Sequence, residues 1–332
     1  MGLIIKNKKF LVMMLVTLLL FSVSTPFGVK EVKASIFTEH YAPDGRMYML
    51  YVPTSYNPET PMPLMVMLHG SGQTPSDLAN DSAINAIAER EGFIVAYPDQ
   101  PTTANGVKAW NWFLPAHQGR GMGEPASIVG VVDHIKSQYN INEGKVYAQG
   151  GSAGGAMAVI LGVTYPDVFT AIGVHFGLEY KAATNTTEAS YAGLYGGPDP
   201  ITQGNLAYAQ MGDRARVVPT IVWQGSVDPI VKPINGNQVI AQMAQANDLA
   251  YDGQDNNEID EVADESVTGY STGHKYQHYK YKNSATNQVI MERYLVFGMG
   301  HAIAGGVAGG FTDPDAPNSM EISWEFLNRF TK

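Results

Sequence analysis

The stretch that decides the fold of this chain is residues 145–157, which read KVYAQGGSAGGAM. It contains the pattern G-x-S-x-G at residues 150–154, after a strand-like run and before a helix-forming run of small residues. A strand, a sharp turn and a helix are the context that this motif requires of a nucleophilic serine. The glycines suit a turn too tight for Cβ atoms. A glycine-rich turn with an incidental serine also matches the pattern, so the remaining sequence must supply partners for Ser152.

Short apolar runs alternate with helical patterns on both sides of this turn. Such alternation is typical of a mostly parallel sheet covered by helices on both faces. With the serine turn it predicts the α/β class and, within it, the α/β-hydrolase fold. Strands are predicted over 46–52, 64–68, 93–97, 146–149, 171–176, 218–224 and 289–296, and helices over 76–90, 128–139, 155–161, 237–247 and 319–330.

The first 34 residues have the pattern of a signal peptide. Three lysines at positions 6, 8 and 9 precede an unbroken apolar run at 10–21, which is too short for a membrane span. Cleavage is predicted before Ser35, with residues 22–24 as a second site, and an uncleaved anchor is the alternative. We therefore expect a signal peptide over 1–34, a single catalytic domain over 35–332, and a secreted protein that does not engage a membrane once cleaved.

The composition and net charge of the chain argue against several classes of function. The chain has 332 residues, a net charge of −10 and no cysteine. The first 34 residues contribute +4 (five lysines, one glutamate), which leaves −14 on the remainder. This acidity argues against nucleic acid as a partner, and the missing thiols exclude cysteine nucleophiles and thiolate metal sites. The acidic stretch 252–265 lacks EF-hand spacing and is interpreted as a surface loop.

A serine nucleophile needs a histidine base and an acid that orients it, and α/β-hydrolases place them in the order Ser, Asp or Glu, His. Asp228 stands just past the strand predicted at 218–224, and His301 just past the strand ending at 296. Open α/β sheets place their sites at this edge. Asp199 and Asp213 are the competing acids, but neither follows a convincing strand. The predicted triad is therefore Ser152, Asp228 and His301.

An oxyanion hole needs two backbone N–H groups directed at the developing charge. Ala153 follows the nucleophile and supplies one, and Ser71, in the loop after the strand at 64–68, is predicted to supply the other. His69 is expected to brace this loop rather than to do chemistry, and is grouped with the substrate-binding residues. Trp110 and Trp112 complete that group, either as an exposed platform for substrate or as core residues.

The chain resembles the poly(3-hydroxybutyrate) depolymerase family of esterases, which also includes feruloyl and acetylxylan esterases. The resemblance runs from about Tyr41 to Phe330 and implies the same triad, with Ser71 as an oxyanion donor. The family commonly has a pair of cysteines, taken as a disulfide, where Ser71 and Ala109 stand, so packing is expected to hold the oxyanion loop here. The segments that carry the resemblance are 68–70, 73–74, 97–100, 110–113, 152–157, 165–169 and 298–302.

The resemblance implies a secreted serine esterase that hydrolyses a short-side-chain polyhydroxyalkanoate, above all poly(3-hydroxybutyrate). We expect a monomer that needs no metal or organic cofactor and whose partner is the polymeric ester. Since the sequence ends shortly after its last predicted helix, adsorption to solid polymer is expected to rest on the catalytic domain's own surface. The alternatives are a feruloyl or acetylxylan esterase acting on plant-wall esters, and a non-catalytic protein that binds a polymer.

Overall fold

The computed structural model describes residues 35–332, so the predicted signal peptide lies outside the described part. Twelve strands and eight α-helices are described in it. The strands are β1 (Ile36–Tyr41), β2 (Met47–Val52), β3 (Met62–Leu68), β4 (Ile94–Pro98), β5 (Ile141–Gly151), β6 (Ala171–His175), β7 (Thr220–Gly225), β8 (Glu265–Tyr270), β9 (Lys275–Asn283), β10 (Gln288–Val296), β11 (Ile303–Ala304) and β12 (Thr312–Asp313). The helices are α1 (Pro75–Ser82), α2 (Ile84–Glu91), α3 (Gly123–Gln138), α4 (Ala153–Thr164), α5 (Thr186–Tyr195), α6 (Pro200–Met211), α7 (Ile234–Asp252) and α8 (Ser319–Leu327).

Ten strands form one sheet in the order β1-β2-β4-β3-β5-β6-β7-β10-β9-β8. The six strands from β4 to β10 in that order are parallel, and antiparallel strands extend the sheet at both ends. The parallel strands are almost continuously apolar because helices cover both of their faces. This is the α/β-hydrolase fold, and it confirms the fold class predicted from the sequence.

The alternation of side chains along β3 shows how the sheet divides the core. Leu64 and Val66 point into the cluster shared with α3, α4 and α7. Met65 and Met67 point to the opposite face, into the cluster shared with α1, α2 and α8. Because successive side chains of a strand point to opposite faces of the sheet, a single strand contributes to both hydrophobic cores. Every residue of α4 is buried, which fixes the position of the turn before it.

The helix predicted over 76–90 is interrupted. Ala83 has φ 56°, in the left-handed region, and ends α1 before α2 begins. Left-handed residues commonly terminate helices. The hairpin of β8 and β9 and the helices α5 and α6 are elements that the sequence patterns did not predict.

The acidic stretch 252–265 is a mostly exposed loop, as expected. Asp248, near the end of α7, holds it by accepting hydrogen bonds from the backbone N–H groups of Asn256, Asn257 and Ile259. Within residues 35–332, no helix has the length and apolar character needed to cross a membrane. Nor does the described part of the chain group three or more His, Cys, Asp or Glu side chains where they could hold a metal ion.

Candidate active site

The three predicted triad residues follow three strands of the parallel region. Ser152 comes directly after β5, Asp228 three residues after β7, and His301 five residues after β10. The carboxyl ends of parallel strands meet at one edge of the sheet, where α/β folds place ligands. The loops after β5, β6, β7 and β10 therefore converge there, and we call this part of the molecule the carboxyl edge.

Ser152 sits on a strained turn. Its φ of 56° and ψ of −121° lie outside the helical and strand regions, and its N–H donates to the carbonyl of His175 at 3.0 Å. A Cβ at Gly150 would stand 2.5 Å from the backbone of Gly154, and a Cβ at Gly154 would stand 2.1 Å from the carbonyl oxygen of Leu68. Only glycine allows so close an approach, which confirms the reason predicted for the glycines of the motif. Strain of this kind at a turn is typical of functional sites.

Asp228 and His301 are joined by a hydrogen bond of 2.8 Å between Oδ2 and Nδ1. A carboxylate can only accept, so Nδ1–H is the donor and Nε2 is left to accept a proton. The other oxygen of Asp228 accepts from the N–H groups of Ile230 and Val231, at 2.8 and 2.9 Å, and its side chain is fully buried. Hydrogen bonds to both carboxylate oxygens therefore fix the position of Asp228.

The competing acids have other partners or positions. Asp199 caps α6 by accepting from the N–H and the hydroxyl of Thr202, at 2.9 and 2.7 Å. Asp213 lies in the short 3₁₀ turn Gly212–Arg214. Asp228 is the acid that contacts His301.

Hydrogen bonds connect the loop that carries Asp228 to the loop that carries His301. The N–H of Val227 donates to the carbonyl of Met299 at 3.1 Å, and the N–H of Gly298 donates to the hydroxyl of Ser226 at 2.9 Å. His274 supports the same loop by hydrogen bonding to the carbonyl of Phe297 at 2.8 Å. Hydrogen bonds thus join the two loops directly.

Phe176, which follows β6, lies between the serine turn and the histidine. Its ring centroid is 4.5 Å from that of His301, and a Cβ at Gly151 would stand 2.9 Å from the ring. Among the described residues, Ser152 makes no hydrogen bond to His301. Such bonds are often long in unliganded enzymes and tighten when substrate binds. Sequence patterns missed the role of Phe176, although its place at the end of the central strand predicted over 171–176 was a usable signal.

The predicted oxyanion loop lies against the nucleophile. A Cβ at Gly70 would stand 3.6 Å from the Cβ of Ser152. The N–H of Gly70 donates to Oε1 of Gln73 at 2.9 Å, which fixes the turn. Ala153 is the first residue of α4, so its N–H has no intrahelical acceptor and lies at the positive end of the helix dipole. Within residues 35–332 the N–H of Ser71 also has no hydrogen-bond acceptor.

The assignments of His69 and Trp110 to substrate binding are wrong, because both side chains are fully buried. His69 Nδ1–H donates to the carbonyl of Gly70 at 2.8 Å, while Nε2 accepts from the N–H of Gln100 at 3.1 Å. Burial lowers the pKa of His69, in keeping with a neutral ring. Trp110 Nε1 donates to the carbonyl of His69 at 3.1 Å. Both residues brace the oxyanion loop, which for His69 is the structural role expected from the sequence.

The loop 105–114 is held by hydrogen bonds as well as by packing. The N–H of Gly72 donates to the carbonyl of Val107 at 2.8 Å, which joins the oxyanion loop to it. Beneath it, the buried carboxylate of Glu124 accepts from the backbone and the side chain of Asn111, at 2.7 and 2.6 Å, and from Gln100 at 2.5 Å. This network, which the sequence did not reveal, acts where the family resemblance implies a disulfide.

A cavity of about 720 Å³ opens beside Ser152, Ser71 and Ala153. Its walls are mainly apolar and come from the loop 105–114, from α5, and from the segment after Asp228. Trp112 lines it, so this tryptophan stays a predicted substrate contact. The main apolar wall residues are Trp112, Phe113, Leu178, Leu194, Ile230 and Val231.

A buried acid lies next to this wall. Neither carboxyl oxygen of Glu179 has a hydrogen-bond partner within residues 35–332, and the side chain is buried. Burial, with the negative charge of Asp199 as the smaller cause, raises the pKa of Glu179 to about 8. We therefore expect Glu179 to be protonated at neutral pH.

Comparison with known proteins agrees with the fold. The family model described as "Esterase PHB depolymerase" matches residues 46–265, and the chain belongs to this family. Poly(3-hydroxyalkanoate) depolymerase C of Paucimonas lemoignei is 36% identical over 72% of this chain and 54% of its own length. Feruloyl esterase B of Neurospora crassa is 32% identical over 44% of this chain and 48% of its own length. The family predicted from the sequence is confirmed.

Solved structures support the fold. An acetyl xylan esterase from Aspergillus awamori aligns with a TM-score of 0.66 at 19% identity, covering 88% of this chain and 99% of the other. At this identity the likeness shows the fold alone. The chain spans about half the length of the curated relatives described above.

Proposed function

We propose that this protein is a secreted serine esterase that hydrolyses a short-side-chain polyhydroxyalkanoate, most of all poly(3-hydroxybutyrate). The observation that carries the proposal is the 2.8 Å hydrogen bond from His301 Nδ1 to Asp228, at the same edge of the sheet as the strained turn of Ser152. That bond fixes the histidine tautomer in which Nε2 can act as base.

The reaction follows from this arrangement. The Ser152 hydroxyl attacks the ester carbonyl while His301 Nε2 takes its proton, and the resulting oxyanion is bound by the N–H groups of Ala153 and Ser71. When the intermediate collapses, the ester C–O bond breaks and His301 returns the proton to the departing alcohol. Water then attacks the acyl-enzyme with His301 as base, which releases the acid and restores Ser152. Every step uses groups of this chain and needs no cofactor.

The cavity and the relatives support a polyester substrate. An apolar cavity of about 720 Å³ suits a neutral aliphatic acyl chain, and a relative at 36% identity is a poly(3-hydroxyalkanoate) depolymerase. The second candidate, a feruloyl or acetylxylan esterase, is favoured by the relative named feruloyl esterase B. Incubation with poly(3-hydroxybutyrate) film and, separately, with feruloylated and acetylated xylan distinguishes them. Release of 3-hydroxybutyrate or its oligomers is expected, and release of ferulate or acetate alone would overturn the proposal.

Secretion is part of the proposal and rests on the sequence of residues 1–34. Protein recovered from the medium of an expressing bacterium is expected to begin at Ser35 or at the second predicted cleavage site. N-terminal sequencing measures this directly, and retention of Met1 in cell-associated protein would contradict it.

A further inference from the structure

Six exposed apolar side chains lie on two segments beside the mouth of the Ser152 cavity. We call them the rim patch. Three belong to α5 and three to the segment 226–235 that follows β7. The members are Tyr191, Leu194, Tyr195, Val227, Ile230 and Ile234.

Contacts between the two segments place these residues side by side. The carbonyl of Gly193 in α5 accepts from the N–H of Lys232 at 2.8 Å and from the side chain of Asn235 at 3.0 Å. A Cβ at Gly193 would stand 2.9 Å from the carbonyl oxygen of Ile230. The C-terminal half of α5 is therefore packed directly on the segment that carries Ile230.

The rim patch is continuous with the candidate active site. Leu194 and Ile230 line the cavity beside Ser152 and are also exposed at its mouth. Tyr191 and Tyr195 do not line the cavity; their rings lie 4.8 Å apart on the outer side of α5, and they are 63% and 66% exposed. A ligand that covers the two tyrosines can thus extend past Leu194, one turn along the same helix, into the cavity.

The charge of this surface identifies the kind of partner. The whole chain has a net charge of −10, yet the exposed charged side chains of the two segments are Glu188 and Lys232 alone. Large exposed apolar patches mark interaction sites. Four of the six members are aliphatic, which favours an aliphatic surface over a sugar, and the two phenol groups can donate hydrogen bonds to ester carbonyls. A neutral aliphatic polyester has both properties.

We propose that the rim patch adsorbs an insoluble aliphatic polyester and presents its chain to the Ser152 cavity. This inference rests on the proposed function, because it names the surface by which the same site reaches its substrate. Binding to the polymer removes the apolar side chains of the rim patch from water, which favours adsorption. The two outermost residues, Tyr191 and Tyr195, contribute to adsorption but not to bond cleavage.

The test compares two double variants of the full chain. Tyr191→Ser with Tyr195→Ser removes the outer part of the rim patch, and serine and tyrosine have similar helix propensities. Tyr251→Ser with Tyr270→Ser is the matched control, since it also removes two exposed tyrosines. Tyr251 lies near the far end of α7, about 25 Å from its first turn at 1.5 Å per residue, and Tyr270 lies on β8 at the end of the sheet.

Adsorption is measured on poly(3-hydroxybutyrate) granules in a Ser152→Ala background, so it does not depend on turnover. The rim variant is expected to adsorb about tenfold more weakly, with the control unchanged. The inference would be overturned if the rim variant adsorbed as well as wild type, or if the control lost as much adsorption as the rim variant. It would also be overturned if the rim variant lost binding to insoluble acetylated xylan but not to the granules. A wild-type dimer that only the rim variant dissociates, with adsorption unaffected, would show that a second copy covers the patch.

Hydrolysis of a soluble p-nitrophenyl ester, measured with Ser152 intact, separates this inference from the proposed function. The rim and control variants are expected to keep that activity within twofold. If wild-type protein hydrolyses the soluble ester while the rim variant adsorbs normally, the surface assignment fails and the esterase assignment stands. If wild-type protein hydrolyses no ester, the esterase assignment fails whatever the adsorption shows.

Discussion

The carboxyl edge and the rim patch lie next to each other but are built in opposite ways. At the carboxyl edge, Asp228 is fully buried, both of its oxygens are hydrogen-bonded, and glycines let the backbones of β3, β5 and α4 approach closely. In the rim patch, Tyr191 and Tyr195 project from a helix that buries only Ala192 and Gly193. In the function proposed above, the first region fixes the positions of the reacting atoms, whereas the second offers contact area.

This difference predicts how substitutions act. A change at the carboxyl edge alters the reaction of every ester, because all substrates share the same proton transfers and oxyanion. A change in the rim patch alters only substrates large enough to cover it.

Replacement of Asp228, the proposed triad acid, is expected to give the largest effect. Asp228→Asn is expected to lower kcat for a soluble p-nitrophenyl ester by about 10³- to 10⁴-fold, because the amide stabilises the wrong tautomer of His301. The control, Asp199→Asn, changes the cap of α6 and the charge near Glu179, and it is expected to keep kcat within twofold. Steady-state kinetics of both variants measure this. A large loss in the Asp199 variant with activity retained in the Asp228 variant would reverse the assignment.

The oxyanion loop gives the next effect. Gln73→Met removes the acceptor for the N–H of Gly70 and is expected to lower kcat about tenfold with little change in KM, since the loop no longer presents Ser71 correctly. Gln73→Glu keeps an acceptor oxygen, and Nε2 of Gln73 has no partner within residues 35–332 that would be lost. Recovery of kcat in the Glu variant is therefore expected. Equal loss in both variants would show that bulk packing, not this hydrogen bond, positions the loop.

Glu179 gives the smallest effect on activity, because its protonation acts on stability. Its raised pKa, about 8 against an ordinary 4.5, means that the folded state retains a proton which the unfolded state has lost between these values. Stability should therefore fall as the pH rises from 5 to 9. Glu179→Gln mimics the neutral acid. Relative to wild type it is expected to gain stability as the pH rises from 5 to 9, by about 1.4 kcal/mol for each pH unit crossed between the two pKa values. Urea unfolding at the two pH values measures this, and parallel pH profiles would contradict it.

The fold was readable from the sequence, and so was the placing of the three predicted triad residues at one edge of the sheet, because the signals for both are local. Ser152, Asp228 and His301 each follow a short apolar strand, and the parallel order of those strands brings their ends to one edge. Chain order, together with its position just after a predicted strand, selected His301 among eight histidines. The left-handed φ of Ala83, by contrast, had no local signal, so a single helix was predicted where two exist.

The surroundings of the site were not readable because they depend on tertiary packing. Trp110 occurs in a loop, and only the fold shows that it is buried beneath the oxyanion loop. The sequence of α5 has no amphipathic period, since so little of it is buried, and this is why the helix was missed. The acid network around Glu124 joins residues from separate parts of the chain, which no local pattern reveals.

The central claim is that Ser152 is a nucleophile activated by the Asp228–His301 pair. Its most direct test is reaction of the full chain with a p-nitrophenyl phosphonate ester, followed by peptide mapping by mass spectrometry. The account predicts one phosphonyl adduct, on the peptide containing Ser152, with loss of esterase activity in step with labelling and with slow labelling in the Asp228→Asn variant. No adduct on Ser152, or an adduct on another residue that accounts for the inactivation, would contradict it.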